Sequence, residues 1–561
     1  MQVSGADVVV ECLKAEDVTH VFGVVGSSIL DLMDSLARSP QIRYVQTQHE
    51  QAAAYMADGY ARVTGRPGVC VATVGPGATN LIGGVAQAFL ESSPVLALCG
   101  EVHTLHYGKG ASNFHEIEQS LVYKPVTKLA VRIERPDRIV EILGKAFRVA
   151  TSGRKGPVYL GLPRDVQKAR IAPPEIPSPR RLKAQGAVRG DAAQVRAAVE
   201  LLLSASRPVL LAGGGLRWAR GRDGMIALAE YLGIPIALTH KGLVPEDHPL
   251  CVGVIGTTAS PVAAETVQGS DLIVAFGCTF SQVATGSYGN KFIPEKARIV
   301  HVDIDPTEIG KSYPVELGIA GDAREVLEEM VALCRDRGQG PRSNPERRAE
   351  LAALRAEWER SLQAERTSDR VPITRLRMLH DLRAVLDRHA IVAAESGATH
   401  GWFVYGFPCY EPILEPGDYS IMGSAVCMAM AAKIAHPDRP VVSVTGDGAM
   451  MMVLGEIATA VANNIPIVIV VPHNSVYGNM LRKQHEHFED RFIGTRLYVP
   501  DLAEVARGLG AHGERVERPA DLIPAYRRAL ASRKPALVDV VIGNDWDELE
   551  APTKLRVADR Y

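Results

Sequence analysis

VVSVTGDGAMMM (441–452) and IPIVIVVPHN (465–474) are the two stretches that decide how this chain folds. Residues 441–444 read as a buried strand that breaks at the turn Gly446-Asp447-Gly448. The apolar run 465–472 has the same character and leads into His473-Asn474. Between them, 449–463 is rich in Ala and Met and long enough for a crossover helix. In a parallel βαβ unit both strands end at one sheet edge, so the Asp447 and Asn474 side chains are expected to converge there. A carboxylate and an amide oxygen together suit Mg²⁺, which keeps its remaining positions for phosphate oxygens and water. Alone, G-D-G is an ordinary turn. Here separate segments agree with the metal reading.

The whole chain sets the bounds. At 561 residues it exceeds one hydrophobic core, so several domains are expected. With 46% apolar and 22% charged residues it has the composition of a soluble globular protein. A net charge of −2 gives no electrostatic footprint for nucleic acid or for a membrane surface. MQVSGADVVVECLKAED (1–17) carries acids within a short apolar run and lacks the basic leader of a signal peptide. No apolar stretch approaches the ~18–20 residues of a membrane span. The eight cysteines are scattered without C-x-x-C spacing, which points to buried thiols and a cytoplasmic location.

Two segments read as linkers: APPEIPSPRRLKAQG (172–186), rich in Pro and charge, and the polar, basic RDRGQGPRSNPERR (335–348). Cutting there predicts domains at 1–171, 187–334 and 349–561, with a charged surface helix over 348–366 opening the third. Each block alternates apolar strands with amphipathic helices, as in VCVATVGPG (69–77), PVLLAGGG (208–215), LIVAFG (272–277) and IVHVDIDP (299–306). The expected fold class is α/β, three doubly wound parallel sheets.

QTQHEQAAAYMADGYARVTGRPGVCVATVGPGATN (46–80) places Glu50 at the head of an Ala-rich helix and a Gly-Pro-Gly turn after the next strand. An acid in a first helical turn is favoured by the helix dipole alone. Taken with G-D-G and the later Asn, this segment resembles the activating-glutamate signature of thiamine-diphosphate enzymes, in the acetolactate synthase-like group. The resemblance covers essentially the whole chain and implies pyrimidine-binding, central and pyrophosphate-binding domains. It implies that the Glu50 carboxyl hydrogen-bonds N1′ of the cofactor's aminopyrimidine, a task for which a buried carboxyl with raised pKa is well suited. Thr73, Pro76 and Asn80 would line the same end of the cofactor. ESGAT (395–399) would meet the diphosphate through Ser396, Gly397, Ala398 and Thr399, the last two standing where acetolactate synthases usually carry Gln-His. Met422, in YSIMGSAV (419–426), aligns with the apolar residue beneath the bent cofactor. Gly446, Asp447, Gly448 and Ala449, with Asn474, Val476, Tyr477, Gly478 and Asn479, complete the implied pyrophosphate and metal end. Asp447, Asn474 and the Val476 carbonyl would hold Mg²⁺. The resemblance also implies a homodimer or homotetramer, Glu50 of one copy working with Asp447 of another.

Substrate choice is less sharply written. Ser27 lies where relatives place a residue facing the reacting carbon, and His115, in SNFHEIEQ (112–119), is a candidate proton donor. His473 replaces the usual first Asn of an Asn-Asn pair, and Met480 stands where pyruvate decarboxylases have an acid. HKGLVPEDHPLCVG (240–253) and HVDIDPTEIGK (301–311) resemble the acetolactate synthase central domain. There TFSQVATGS (279–287) replaces the R-F-D-D-R motif of FAD-binding members, leaving FAD, ADP or neither as the expected central ligand. GSSILDLMD (26–34) and 490–513 also resemble sulfoacetaldehyde acetyltransferases, and a CoA-thioester lyase or decarboxylase shares the scaffold. Arg482 and Lys483 are the candidate contacts for a CoA phosphate. Gly213-Gly214-Gly215 starts a dinucleotide pattern that breaks at Trp218. DWDELEAPTKLRVADRY (545–561) is either a solvated tail or a lid. The expected activity is decarboxylation of a 2-oxo acid with carboligation of the resulting fragment.

Overall fold

A computed structural model describes residues 2–184, 186–257, 259–336 and 344–544. Three parallel sheets account for the alternation seen in the sequence. The first has the order Arg43–Gln46, His20–Gly23, Gly68–Ala72, Val95–Glu101, Val158–Pro163, Leu129–Arg132. The second runs Cys251–Val254, Ile236–Leu238, Pro208–Ala212, Leu272–Phe276, Arg298–Asp303, Leu317–Ala320. The third runs Ile391–Ala394, Val441–Val444, Val468–His473, Ala536–Val541, His512–Val516. Strands such as Gly68–Ala72 and Val468–His473 are buried along their whole length, as parallel strands covered by helices on both faces must be. The α/β class read from the sequence is the one observed.

The first and third units share a core. Helix Glu50–Thr64 packs on helix Ser424–Ala435 so closely that a Cβ on Gly59 would stand 2.6 Å from the Met428 Cα. Ala52, Ala53, Ala54, Ala57 and Ala61 are all fully or nearly fully buried, and these small side chains let the helix backbones approach. Deeper in, Arg62 donates to both Asp58 oxygens at 2.8 and 2.6 Å and to the Glu415 carbonyl at 2.6 Å. A buried ion pair of this kind is a weak stabiliser, but it fixes one geometry. All eight cysteines are buried free thiols, as their spacing suggested. Among the described residues no helix is long and apolar enough to cross a membrane.

Two local expectations need correction. The segment after Asp447 is not one crossover helix but two, Asp447–Met452 and Glu456–Ala462. Glycine at 455 favours a break there, and Glu456 opens the second helix with its carboxylate turned toward the first unit. Asp447 is accordingly the first residue of a helix capped by Gly446, rather than the middle of a turn. The charged helix begins earlier than expected, at Pro345–Arg366. The proposed lid, 545–561, lies outside the described residues.

Candidate active site

Strands Val441–Val444 and Val468–His473 pair in parallel, with Val442 opposite Val468, and their ends bring Asp447 and Asn474 together. The Asp447 carboxylate is 3% exposed. Its Oδ2 accepts the backbone N–H groups of Asn474 at 3.0 Å and Ser475 at 2.5 Å, and its Oδ1 accepts that of Gly448 at 2.8 Å. Burial pushes this carboxyl up, and the three N–H groups oppose the shift. A carboxylate locked this way presents its remaining lone pairs in a fixed direction, as a hard cation requires. Residues 475–497 close into a short antiparallel pairing, with Tyr477 N–H on the Thr495 carbonyl at 2.9 Å and Leu497 N–H on that of Ser475 at 2.8 Å. Val476, 6% exposed, sits inside this pairing. The Tyr477 ring lies against Gly448, where a Cβ would meet it at 2.6 Å.

The same edge offers anion-binding groups. Helix Ala398–Gly406 starts at Gly397, which has φ +84° and no side-chain cap. Helices Asp447–Met452 and Gly478–His487 also begin without side-chain caps. Open N–H groups at helix starts are ready donors for phosphate oxygens. Among the described residues, a Cβ built on Gly397 would meet nothing within 4 Å, and the Ser396 hydroxyl beside it is buried. Thr399 Oγ1 stands 3.1 Å from the Cβ position of Gly446. Space, a buried hydroxyl and uncapped termini together fit a diphosphate and its cation, and neighbouring Ala449 is buried.

The first sheet builds a second cluster of predicted residues, around Glu50. Glu50 heads helix Glu50–Thr64, with His49 at the cap. Its Oε2 accepts from Asn80 Nδ2 at 3.0 Å, so the helix opened by Gly75-Pro76-Gly77 orients the carboxylate. A Cβ on Gly77 would lie 2.9 Å from Thr73 Cγ2 and 3.0 Å from Glu50 Oε1, so a larger residue here would crowd both side chains. Glu50 is half-buried in the single chain rather than buried as expected.

Other predicted residues fall less neatly. Ser27 is exposed in the short turn Ser27–Ile29. Its neighbour Ser28 bonds Thr73 Oγ1 and accepts the Val74 N–H, both at 2.9 Å, so Ser28 ties the two loops. His115 has φ +66° and places its carbonyl 2.7 Å from the Gly75 Cβ position, with Phe114 stacked on its ring. His473 is buried, its Nδ1 2.8 Å from Asp539 Oδ1 and its Nε2 3.2 Å from Ser475 Oγ. This contact ties His473, and with it the turn at Asn474, to the adjacent strand Ala536–Val541. Met422 and Asn479 are half-buried and Met480 is exposed. Arg482 is engaged by Glu486, one helical turn on, at 3.1 Å.

Sequence reading missed several residues. Glu395 is fully buried, accepting the N–H of Ser396 at 3.0 Å with one oxygen and those of Gly423 and Ala425, at 3.1 and 3.3 Å, with the other. It thereby staples the loop carrying Gly397 to the one following Met422, and burial pushes it up to about 7. Asn544 donates to the Asn474 carbonyl at 2.9 Å. Glu415 accepts from or pairs with His240 at 2.8 Å and His400 at 2.6 Å. Burial pushes Glu415 up, but the two imidazoles outweigh it and hold it well below the ordinary range. A glutamate between apolar strand and glycine, as in AAESG (393–397), was the available signal for Glu395.

Three family models match the chain: thiamine pyrophosphate enzyme N-terminal TPP binding domain over 3–121, central domain over 195–330, and C-terminal TPP binding domain over 395–540. The chain belongs to the thiamine pyrophosphate enzymes. Within that family it is 36% identical to the probable acetolactate synthase large subunit of Methanocaldococcus jannaschii, over 96% of this chain and 92% of the relative. It is 34% identical to the acetolactate synthase large subunit of Corynebacterium glutamicum, over 97% and 87%. With that of Haemophilus influenzae it shares 32% over 99% and 97%. It is a thiamine-diphosphate-dependent enzyme of the acetolactate synthase-like group. The three sheets are the three domains of that family.

A cavity of about 250 Å³ opens at the edge of the central sheet. Gly214, Trp218, His240, Phe280, Asp303 and His400 are among its lining residues. The glycines that suggested a dinucleotide turn have another cause: a Cβ on Gly213 would strike the Gly277 carbonyl at 2.1 Å, and one on Gly215 the Gly277 Cα at 2.8 Å.

Proposed function

We infer that this enzyme decarboxylates pyruvate and joins the two-carbon fragment to the carbonyl of a second 2-oxo acid, with Mg²⁺ holding the cofactor's diphosphate. The observation carrying this reading is the Asp447 carboxylate locked onto the Asn474–Ser475 backbone, at an edge where Gly397 faces open space. The acetolactate synthase names of the relatives support pyruvate as donor. When bound, thiamine diphosphate supplies a carbon nucleophile and an electron sink for cleaving the bond next to a carbonyl. Asp447, Asn474 and the Val476 carbonyl would hold the cation. The N–H groups of Ala398 and Thr399, the Ser396 hydroxyl and the loop 477–479 would bind phosphate oxygens. Met422 would pack against the cofactor. Glu50, oriented by Asn80, would hold a proton at N1′ of the pyrimidine. Thr73 and Pro76 would line that end, and His115 would orient the substrate carbonyl or return a proton to it.

The half-burial of Glu50 supports a site closed by a second copy, in a homodimer or larger assembly. The domain boundaries at 172–186 and 335–348 are proposed on the same footing, for test by limited proteolysis. The central cavity supports a nucleotide: Asp303 ends a strand of the parallel sheet, where an acid can accept ribose hydroxyls, and Arg154 and Lys155 line the same cavity. The sequence 279–287, lacking the arginine pair of flavin-binding members, supports ADP over FAD. Absorbance of the purified protein in the flavin bands separates the two. Nothing in the names of the relatives supports a CoA thioester, and Arg482 is engaged by Glu486.

A donor screen tests the main reading. Pyruvate with thiamine diphosphate and Mg²⁺ is expected to yield carbon dioxide and acetolactate. Acetyl phosphate from sulfoacetaldehyde and phosphate, with no turnover of pyruvate, would contradict it.

A further inference from the structure

We propose that Glu456 is a positioning residue that sets the first turn of the Glu50 helix from the far side of the shared core. This rests on the thiamine-diphosphate reading above. Glu456 opens helix Glu456–Ala462 and is 2% exposed. Its Oε1 accepts the backbone N–H of His49 at 3.0 Å, and its Oε2 accepts that of Gln48 at 3.3 Å. The Thr459 hydroxyl donates to Oε2 at 2.7 Å and fixes the carboxylate's orientation. His49 is the cap residue of the helix that Glu50 heads, so the carboxylate grips the two peptides immediately before the catalytic side chain. From the other side, Thr47 N–H is held by the Gly23 carbonyl at 3.0 Å, and Thr47 Oγ1 donates to the His49 carbonyl at 2.9 Å. The peptide 47–49 is thus strapped between the first sheet and a residue of the third unit.

A stability role alone explains this poorly. Burying a carboxylate is costly, and an apolar side chain of similar volume usually serves a core as well. What a carboxylate adds is two acceptor oxygens in one plane, matched to two successive N–H donors and stronger than neutral acceptors. A glutamine offers one acceptor and would aim an NH₂ at the second donor. Glu456 also lies on the segment that begins with Asp447, since helix Asp447–Met452 runs into its turn. A single stretch of chain therefore carries the cation turn at its head and the brace for Glu50 at its end. A helix start misplaced by a few tenths of an ångström changes where the Glu50 carboxyl meets a ring nitrogen while leaving the diphosphate anchor intact.

The test uses the full chain with thiamine diphosphate and Mg²⁺. Cofactor affinity is read by calorimetry, kcat and KM for pyruvate by steady-state kinetics, and the imino tautomer of the bound pyrimidine by its circular-dichroism band. Glu456→Gln is expected to bind the cofactor within ~3-fold of wild type, to lose roughly 10- to 100-fold in kcat with KM little changed, and to lose the imino band. Thr459→Val is expected to move the same readouts in the same direction by ~2- to 5-fold. Wild-type kcat and an intact imino band in Glu456→Gln would overturn the proposal, as would parallel loss of cofactor affinity, kcat and thermal stability. Where Glu456→Gln fails to fold, an unchanged imino band in Thr459→Val overturns it. A wild-type chain that binds no thiamine diphosphate overturns the underlying reading instead.

Discussion

The third sheet and the central sheet both end their strands in glycine turns, yet the glycines serve different ends. At the central edge, Gly213 and Gly215 pack against Gly277, and side chains are excluded by neighbouring backbone. At the third edge, a Cβ on Gly397 would meet nothing within 4 Å among the described residues. The first arrangement is a packing solution. The second is a place kept open. Similar motifs in sequence therefore report opposite things, and the distinction lies in what a Cβ would touch. The carboxylates differ in parallel. Asp447 is clasped by three backbone N–H groups, whereas Asp303 accepts one, from Asp305 at 2.9 Å.

The largest effect is expected at the first sheet, through Glu50. Glu50→Gln should retain cofactor affinity while kcat falls by ~10²- to 10⁴-fold, the range for losing a positioned proton-transfer group. Turnover at the wild-type rate would remove Glu50 from the mechanism. Next come the glycines themselves. Gly213→Ala is expected to cost ~1–3 kcal/mol of stability through overpacking, with cofactor affinity unchanged. Gly397→Ala should do the reverse, weakening the cofactor ~10-fold at a strain cost of ~1 kcal/mol for its positive φ. Denaturation midpoints and calorimetric titrations of the two variants read both halves.

Asp303 gives a pH signature. Burial pushes its carboxyl up to about 6, above the unfolded value. The native state then holds the proton more tightly, so stability falls as pH rises through the window from ~4 to about 6. Asp303→Asn keeps an acceptor for the Asp305 N–H and removes the charge. It is expected to be more stable than wild type at pH 7 by ~1–3 kcal/mol, the difference closing below pH ~4. Chemical denaturation across that range checks the sign. The smallest effect separates two adjacent serines: Ser28→Ala should lose ~1 kcal/mol by orphaning the Val74 N–H, and Ser27→Ala almost none.

Much of this was legible in the sequence, for reasons that can be named. Continuous apolar runs such as 441–444 read directly as buried parallel strands, and the turn after each one marks the functional edge. The approach of Asp447 to Asn474 was legible because it depends on spacing within one short strand–helix–strand segment. Glu395 and Glu456 were not, because their partners are backbone groups brought in by the fold, which no side-chain pattern records. The break in the helix after Asp447 was hidden by the helix-favouring Ala and Met around it. His473, conspicuous as a departure from Asn-Asn, is bound to Asp539, a residue that looked like any other in an apolar strand.

The central claim is that the Asp447 edge anchors the cofactor. Its most direct test is calorimetric titration of thiamine diphosphate with Mg²⁺ into the wild-type chain and into Asp447→Ala, both verified as folded by circular dichroism. Saturable binding is expected for the wild type, lost or weakened at least ~100-fold in the variant through removal of a cation ligand. Equal affinity in the two proteins would contradict that claim.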